Sequence, residues 1–375
     1  MVKPVRGARR ACDMKRARGE GEVDGRARTT RVLELYCGVG AMHFALRRVT
    51  AHKTDVVGAF DVNPNACDAY EMNHGVRPVM KSLVSVPLAT LEKYDADAWV
   101  MSPPCQPFTR QGLKLDVDDG RAESFMRLVD CMGDMKARPK YIFVENVVGF
   151  ETSRMRDALL ERLREFDFHV QEFILTPKDF GVPYSRPRYF LCARSTAQFS
   201  DAVDGIRRSP PSRALSHRRE WIPSYDAAND ANLNVAPLAR FLDSCEGDSD
   251  DKLWRDHAVK QMDVDRAIGT IDIVSAFDVT SNCFTKSYFK YIKGTGSVVS
   301  NKQVDKTTWD GVIGEDQGAV RLRYFTVDEV ARLHSFPSDF KWPETLSKRQ
   351  RYTLLGNSMS VACVAPLLDY LFAYE

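Results

Sequence analysis

One cysteine in this chain directly follows an apolar run and a pair of prolines. Residues 98–101 are apolar enough to form a buried strand, and Pro103 and Pro104 end it because proline has no backbone N–H to donate to a sheet. Cys105 is therefore predicted to lie on a stiff loop at the carboxyl end of a strand, the edge where open α/β sheets bind ligands. A thiol in that place is a candidate nucleophile, and a buried structural cysteine is the alternative.

A carboxylate and two guanidinium groups stand beside two later apolar runs. Residues 141–144 predict a strand that ends at Glu145, and Arg186 and Arg188 come just before the apolar run 189–192. Glu145 could instead cap the next helix, and the arginines could be ordinary surface charges. If these strands meet at one sheet edge, the thiol, the carboxylate and the arginines form a nucleophilic site with a hydrogen-bonding acid and an anion clamp.

A glycine loop follows the first apolar run of the chain, residues 31–36. Cys37-Gly-Val-Gly40 leads into a helical pattern, so a ligand could approach the backbone closely there. The next predicted strand, 56–60, ends in Asp61, which lies 21 residues after Gly40, near the spacing at which an acid binds ribose hydroxyls. The third glycine of a dinucleotide fingerprint is absent, which favours a nucleoside ligand without a pyrophosphate; a tight turn with a helix cap is the alternative.

The order of the remaining elements predicts the fold class. Strand-like runs alternate with helical patterns, and repeated βαβ units predict an α/β protein with a mostly parallel sheet covered on both faces. Loops interrupt any long periodicity after about residue 195. We therefore expect a basic arm over 1–29, a Rossmann-like domain formed by 30–194 and 321–375, and a smaller domain over 195–320.

Composition and charge narrow the function classes. Residues 1–29 carry nine Lys and Arg against four Asp and Glu, a net +5, which leaves −3 for the rest of a chain whose net charge is +2. The arm is predicted to be disordered. Three roles stay open for it: a nuclear signal, a nucleic-acid-binding arm or a solubilising tail. The sequence has no apolar run of about 18 residues, so it predicts no membrane span. The nine cysteines lack metal-ligand spacing, so we expect free thiols and no metal site.

Lysines alternate with aromatic residues in one segment of the predicted small domain. Lys286, Lys290 and Lys293 are interleaved with rings over residues 283–293. This combination suits contact with phosphates and with splayed bases. An amphipathic strand with an exposed basic face is the alternative.

Taken together and in order, the motifs of this chain resemble those of the cytosine-C5 methyltransferases. They are Tyr36-Cys-Gly-Val-Gly40, Asp61-Val-Asn63, Ser102-Pro-Pro-Cys-Gln-Pro-Phe108, Glu145-Asn-Val147, Ser185-Arg-Pro-Arg188 and Gly356-Asn-Ser358. Cys283-Phe-Thr-Lys286 is similar to the recognition-domain signature of one branch, the tRNA(Asp) cytosine-38 methyltransferases. The resemblance covers about residues 30–375. Phe289 and Lys293 depart from the branch, in which glycine and an acid are common, and they change the bulk and charge of the presumed RNA face.

The resemblance implies a role for each candidate residue. Cys105 would add to C6 of cytosine, Glu145 would hold N3 and the exocyclic amine, and Arg186 and Arg188 would position the base and its backbone. Lys286, Lys290 and Lys293 would contact RNA. The methyl donor would be S-adenosylmethionine, with S-adenosylhomocysteine as product and no metal. The residues expected to bind it are Val39, Gly40, Ala41, Asp61, Leu83, Val84, Ser102, Asn357 and Ser358.

The expected substrate is cytosine 38 in the anticodon loop of tRNA(Asp). Two alternatives stay open: a DNA cytosine-C5 methyltransferase, and a catalytically silent nucleic-acid-binding homologue. Silence usually shows as loss of the nucleophile or the acid, and Cys105 and Glu145 are both present. The net −3 of the body disfavours broad binding to duplexes, which rewards a strongly basic surface. We expect a monomer in the cytoplasm and nucleus, without membrane contact.

Overall fold

Seven strands form one twisted sheet in the order β2-β1-β3-β4-β6-β5-β7. The computed structural model describes residues 29–104, 123–211, 235–243, 251–305, 307–314 and 318–373, so Cys105 and residues 1–28 of the predicted arm lie outside it. The strands of this sheet are β1 (Thr30–Leu35), β2 (Thr54–Phe60), β3 (Ala98–Met101), β4 (Tyr141–Val147), β5 (His169–Leu175), β6 (Arg188–Arg194) and β7 (Ile206–Arg207).

The strand directions bring the candidate residues to one edge of the sheet. β1 pairs in parallel with β2 and β3, and β3 with β4, so Leu35, Met101 and Val144 lie side by side. β6 runs antiparallel to β4 and β5, and its first residue, Arg188, pairs with Val147 at the end of β4. The carboxyl ends of the parallel strands and the amino end of β6 therefore share an edge, as the sequence predicted.

Apolar residues on alternate positions of the strands face two helical layers. Val32, Val100 and Phe143 belong to one core cluster, while Leu33 and Trp99 belong to the other. Because strand side chains alternate between faces, this separation requires helices on both sides. The described helices are α1 (Ala41–Leu46), α2 (Pro64–His74), α3 (Leu88–Glu92), α4 (Glu123–Cys131), α5 (Arg154–Glu165), α6 (Asp251–His257), α7 (Gln261–Ala267), α8 (Val327–Leu333), α9 (Lys348–Asn357) and α10 (Val361–Phe372). α1 and α10 pack on one face, and α4 and α5 on the other, which confirms the α/β class.

A second, three-stranded sheet has the order β10-β9-β8. Its strands are β8 (Asp272–Val274), β9 (Ser297–Ser300) and β10 (Leu322–Tyr324). β7 lies past the predicted boundary at 194 and yet joins the large sheet, whereas β10 lies past 320 and joins the small one. Both parts also share one apolar core, so the boundaries of the domains stay predictions.

The C-terminal stretch is a core element. By length and composition Lys348–Phe372 could cross a membrane, but 89% of its apolar window is buried inside the fold, as in the core helix of a soluble protein. Its one interior acid, Asp369, is buried and accepts hydrogen bonds from the backbone N–H groups of Thr50 and Ala51 at 2.7 Å. These bonds satisfy the carboxylate in the apolar helix and tie α10 to the loop after α1.

Three local expectations differ from the structure: besides the alternative given for 283–293, the sequence pattern predicts a short strand end over 81–84 and a helix over 324–336. Residues 81–84 form turns rather than the end of a strand, and Val79 alone bridges to Phe60. The segment 283–293 is a series of turns, so the alternative of an amphipathic strand is wrong. A continuous helix over 324–336 is replaced by β10 and then α8, because Thr326 caps α8 through a reciprocal bond with Glu329.

Candidate active site

A cavity of about 450 Å³ opens at the carboxyl ends of β1, β2 and β3. Eight of the nine predicted cofactor residues line it: Val39, Ala41, Asp61, Leu83, Val84, Ser102, Asn357 and Ser358. Further lining residues, which the sequence did not assign to the cofactor, include Tyr36, Phe60, Lys81, Pro104 and Ser124. Tyr36 and Pro104 belong to motifs of the sequence, whereas Phe60, Lys81 and Ser124 have no motif of their own and are brought to the cavity only by the folded chain.

The glycine loop packs closely against His74 of α2 at Gly40. Gly40 has φ +85°, and a Cβ there would lie 2.1 Å from Nε2 of His74, so the position needs glycine for both reasons. Gly40 is not among the residues that line the cavity, although Val39 and Ala41 on either side of it are, and its contact with the cofactor stays a prediction. Its role in the structure is to let the loop turn against His74.

Asp61 holds the glycine loop in place. Its Oδ2 accepts a hydrogen bond from the backbone N–H of Gly38 at 2.8 Å, and its Oδ1 accepts one from the N–H of Asn63 at 2.8 Å. A carboxylate has about four lone-pair directions, so each oxygen can accept another hydrogen bond from a ligand hydroxyl. The same side chain can thus order the loop and face the cavity.

The opposite wall of the cavity is secured by an arginine that no sequence motif marked. Arg127 of α4 donates to the carbonyl oxygen of Leu83 at 2.7 Å and also bonds that of Val86. Leu83 is buried and lines the cavity beside Val84. An arginine more than forty positions later gives no local signal, because its partners are backbone carbonyls.

Two polar side chains fix the loop that leads to Cys105. Ser102 donates through Oγ to the carbonyl of Tyr36 at 2.9 Å, and the buried Asn146 donates through Nδ2 to the carbonyl of Pro103 at 3.5 Å. These bonds join the loop to the ends of β1 and β4. Pro104 lines the cavity, and Cys105, the next residue, lies outside the described residues, so its assignment as nucleophile stays a prediction.

Glu145 and Arg188 form an ion pair at this edge. Nε of Arg188 lies 3.4 Å from Oε1 of Glu145, which is only 8% exposed. Burial raises the pKa of Glu145 above its ordinary value, while Arg188 and Arg186 oppose that shift. The carboxyl group can therefore keep a proton at a higher pH than a solvated glutamate.

Arg186 occupies a different place from Arg188. It is 3% exposed, and its guanidinium donates to the carbonyl oxygens of Phe284 at 3.1 Å and Gly356 at 3.1 Å, and also to that of Ser358. Its Nη1 further donates to Sγ of Cys283 at 3.2 Å. Arg186 thus links the segment after β8 to the turn after α9, a role that its position in the sequence did not indicate.

The end of α9 touches the small-domain segment through backbone atoms. A Cβ at Gly356 would lie 2.2 Å from the backbone nitrogen of Lys286, closer than any real contact. The thiol of Cys283 lies beside the same contact. Burial alone would raise the pKa of that thiol, but Arg186 and Arg188 lower it below its ordinary value.

The predicted RNA-face lysines are all exposed, but most of the aromatic residues among them are not. Lys286, Lys290 and Lys293 face solvent. Tyr288 is buried and donates its hydroxyl to the carbonyl of Ser297. Phe289, with φ +65°, stacks on Tyr352 with ring centroids 5.1 Å apart, and only Tyr291 of the three rings is exposed.

Comparison with known proteins decides the family. The C-5 cytosine-specific DNA methylase family matches residues 30–372. The chain belongs to this family. A human tRNA (cytosine(38)-C(5))-methyltransferase is 35% identical over 91% of this chain and 99% of that protein. A DNA (cytosine-5)-methyltransferase of Dictyostelium discoideum is also 35% identical, over 91% and 94%. The crystal structure of the S. pombe Dnmt2 methyltransferase superposes with a TM-score of 0.75, at 29% identity over 92% of this chain and 98% of that one.

Family membership fixes the reaction class. Members transfer a methyl group from S-adenosylmethionine to C5 of cytosine in nucleic acid, and this chain groups with the Dnmt2 branch. The cavity fits that cofactor, since its volume suits a small ligand and it offers apolar walls with one carboxylate. Within the described ranges, no group of three or more His, Cys, Asp or Glu side chains could hold a metal.

Proposed function

We propose that this protein methylates C5 of cytosine 38 in the anticodon loop of tRNA(Asp). The observation that carries the proposal is the similarity to proteins named tRNA (cytosine(38)-C(5))-methyltransferase, at 31–35% identity over 91% of the chain in human, mouse and fission yeast. The matched region includes Cys283-Phe-Thr-Lys286, which Arg186 fastens to the catalytic edge. The proposed recognition segment is therefore hydrogen-bonded directly to Arg186, a residue of the proposed catalytic site.

An RNA loop also suits the physical properties of the chain. The target cytosine must leave its stack to reach Glu145, and extrusion costs less from a loop than from a duplex. The body of the protein carries a net −3, whereas binding to long duplexes is favoured by a strongly basic surface. Duplex DNA is the second candidate substrate, and the name of the Dictyostelium relative favours it.

The chain's own residues account for activation of the base. The thiolate of Cys105 adds to C6, and the ring becomes an enamine whose C5 is nucleophilic. Glu145 bonds N3 and the exocyclic amine, and because burial raises its pKa, the protonated form that can donate to N3 is more accessible than in a solvated glutamate. Arg188 orients that carboxyl group across 3.4 Å. Once C5 carries the methyl group, loss of the C5 proton to solvent and expulsion of the thiolate from C6 restore the aromatic ring, N3 returns its proton to Glu145, and Cys105 is free again.

The cavity residues hold the methyl donor next to this site. S-adenosylmethionine supplies an electrophilic methyl group when bound. Asp61 would bond the ribose hydroxyls, Leu83 and Val84 would flank the adenine, and Ser102 and Ser358 would close the pocket. Each of these five residues lines the cavity, which Pro104, the residue before Cys105 in the sequence, also borders.

A direct comparison of substrates tests the proposal. We would incubate the protein and labelled S-adenosylmethionine with tRNA(Asp), with the same tRNA carrying uridine at position 38, and with duplex DNA, all at one salt concentration. Bisulfite sequencing should find methylation at cytosine 38, little on DNA, and none in the uridine variant. Faster methylation of duplex DNA would overturn the RNA assignment. Cys105→Ala serves as the inactive control, with an expected loss of at least about a hundredfold.

A further inference from the structure

An exposed aromatic ring stands on a rigid turn directly after β8. The side chain of Phe277 is 70% exposed. The turn that carries it is closed by the carboxylate of Asp278, whose Oδ2 accepts hydrogen bonds from the N–H and Oγ of Ser275 at 2.6 and 2.8 Å. The N–H of Asp278 returns a bond to the carbonyl of Ser275 at 3.2 Å. The ring thus projects from an ordered turn.

Backbone hydrogen bonds on both sides of Phe277 fix the turn that carries the ring. The carbonyl of Ala276 accepts from the N–H of Ala239 at 2.8 Å, and that of Asp278 accepts from the N–H of Leu238 at 2.8 Å. Moving this stretch of backbone inward would break these bonds. The structure therefore holds a large apolar group out in solvent, in the place where a partner could meet it.

The same segment runs along the rim of the active site. Four residues after Phe277, Ser281 donates through Oγ to the carbonyl of Pro183, and its own carbonyl accepts a bond from the N–H of Ser185, both at 2.8 Å. Ser185 precedes Arg186. Four residues of extended chain span at most about 14 Å, so Phe277 lies within that distance of the Ser281 anchor. This reach corresponds to a few stacked nucleotides.

Exposed rings are concentrated on this segment. Among the Phe, Tyr and Trp residues that the structure describes, only Phe277 and Tyr291 are more than a third exposed, at 70% and 54%. The stretch 277–293 also contains three exposed lysines and one acid, Asp278, whose carboxylate is engaged by Ser275. Solvent-facing rings among lysines are typical of surfaces that bind single-stranded nucleic acid.

We propose that Phe277 is a substrate-binding residue that stacks on an unpaired base flanking the target cytosine. The inference rests on the proposed RNA substrate. Extrusion of the cytosine leaves its neighbours without one stacking partner, and an aromatic face replaces that contact for any base. The backbone that carries the ring is already ordered by its hydrogen bonds, so binding costs little backbone conformational entropy.

Three substitutions at this position separate the aromatic face from simple bulk. Phe277→Ala should raise the Kd for an anticodon stem-loop RNA about 5- to 100-fold. The Kd of Phe277→Leu should lie between those of the wild type and Phe277→Ala, and Phe277→Trp should bind the RNA at least as tightly as the wild type. The Kd for S-adenosylmethionine and the Tm should not change, because the side chain is mostly exposed. Val312→Ala is the matched control, since Val312 is 60% exposed but lies off the segment.

A fluorescent base reports the contact itself. With 2-aminopurine beside the target cytosine and the protein at saturation, wild-type protein should quench the fluorescence more than Phe277→Ala does. Equal quenching, or an RNA Kd for Phe277→Ala within about twofold of wild type, would overturn the stacking role while leaving the RNA substrate intact. Failure of the proposed function shows differently, as faster methylation of duplex DNA by the wild-type protein.

Discussion

At the scale of single residues, the environment of Glu145 suits it to donate a proton. The carboxyl group is buried near the end of β4. Nε of Arg188 lies 3.4 Å from its Oε1, which is close enough to orient the carboxyl group but too long for a strong hydrogen bond. Burial raises its pKa, and the two arginines keep that shift from growing further. A solvated glutamate lacks this upward shift and therefore holds a proton less readily at any given pH.

Glu145→Gln should therefore lower activity while raising stability at neutral pH. We expect kcat to fall about 10²- to 10⁴-fold, because the amide cannot supply a proton to N3. A carboxyl group whose folded pKa is raised contributes stability below its unfolded pKa and loses it as pH rises through the folded pKa. The Tm of the variant should thus match wild type near pH 4 and exceed it increasingly above.

Activity assays and thermal melts from pH 4 to 8 check both parts. Asp157→Asn gives a matched control, since the Asp157 side chain is 69% exposed and forms its ion pair with Arg156 at 3.2 Å. A wild-type protein that gains stability over Glu145→Gln as pH rises would contradict the raised pKa.

Asp61 should affect the cofactor rather than the chemical step. Asp61→Ala removes the acceptor for Gly38 and Asn63 and the expected ribose contact, so we predict a Kd for S-adenosylmethionine about 10- to 100-fold weaker, the loss expected for a hydrogen bond to a charged group. Asp61→Asn keeps one acceptor oxygen and should lose less. Calorimetry measures this, with Asp68→Ala, in a surface pair with Arg77, as control. Unchanged affinity in Asp61→Ala would reject the placement.

At the scale of elements, the active site depends on the contact between the end of α9 and the segment after β8. Gly356 allows the two backbones to meet, and Arg186 bonds carbonyl groups on both of them. The left-handed Phe289 is held in the same region by its stacking on Tyr352. A bulky residue with positive φ is strained, so this aromatic packing must outweigh the backbone cost.

Gly356→Ala should separate the two elements. Its Cβ would lie 2.2 Å from the carbonyl carbon of Thr285 and the nitrogen of Lys286, and backbone atoms cannot yield as a flexible side chain would. We predict a loss of about 1–3 kcal/mol in unfolding free energy, as for overpacked cores, and a lower kcat. Gly133→Ala is the control, because a Cβ there meets nothing closer than 3.4 Å. Denaturant unfolding that gives equal stability for both variants would contradict the close approach.

At the scale of the whole molecule, the distribution of charge predicts how binding responds to salt. The body is slightly acidic, while the segment 283–293 presents three exposed lysines. Replacing Lys286, Lys290 and Lys293 together by alanine should weaken RNA binding and reduce the log–log salt slope by about 0.7–0.9 for each phosphate that the variant no longer neutralises. The Kd for S-adenosylmethionine should stay the same, because none of the three lines the cavity.

A second triple variant controls for the change in net charge. It replaces three exposed lysines at or near the opposite edge of the large sheet: Lys53, Lys93 and Lys136. RNA titrations between about 50 and 200 mM salt should show a flattened slope only in the first variant. Equal slopes in the two variants would remove Lys286, Lys290 and Lys293 from the RNA face.

The sequence by itself determined the elements and the edge where they meet. The apolar run before Pro103 and the strand that ends at Glu145 are local patterns, and the alternation of strands and helices brings their ends together in any parallel sheet. The cavity residues followed from the glycine loop and from the resemblance to a family. Gly40 is the exception, because its neighbour His74 decides what the position tolerates.

Only the tertiary structure decided how the parts are fastened together. Arg186 bonds carbonyl oxygens 98 and 170 positions away, and Asn146 reaches back 43 positions to Pro103. Such bonds end on backbone atoms, which every residue carries, so no residue type at the far end marks them in the sequence. The burial of Tyr288 and the exposure of Phe277 likewise depend on which elements pack against each ring. Local periodicity cannot encode those contacts, because they exist only once distant segments have come together.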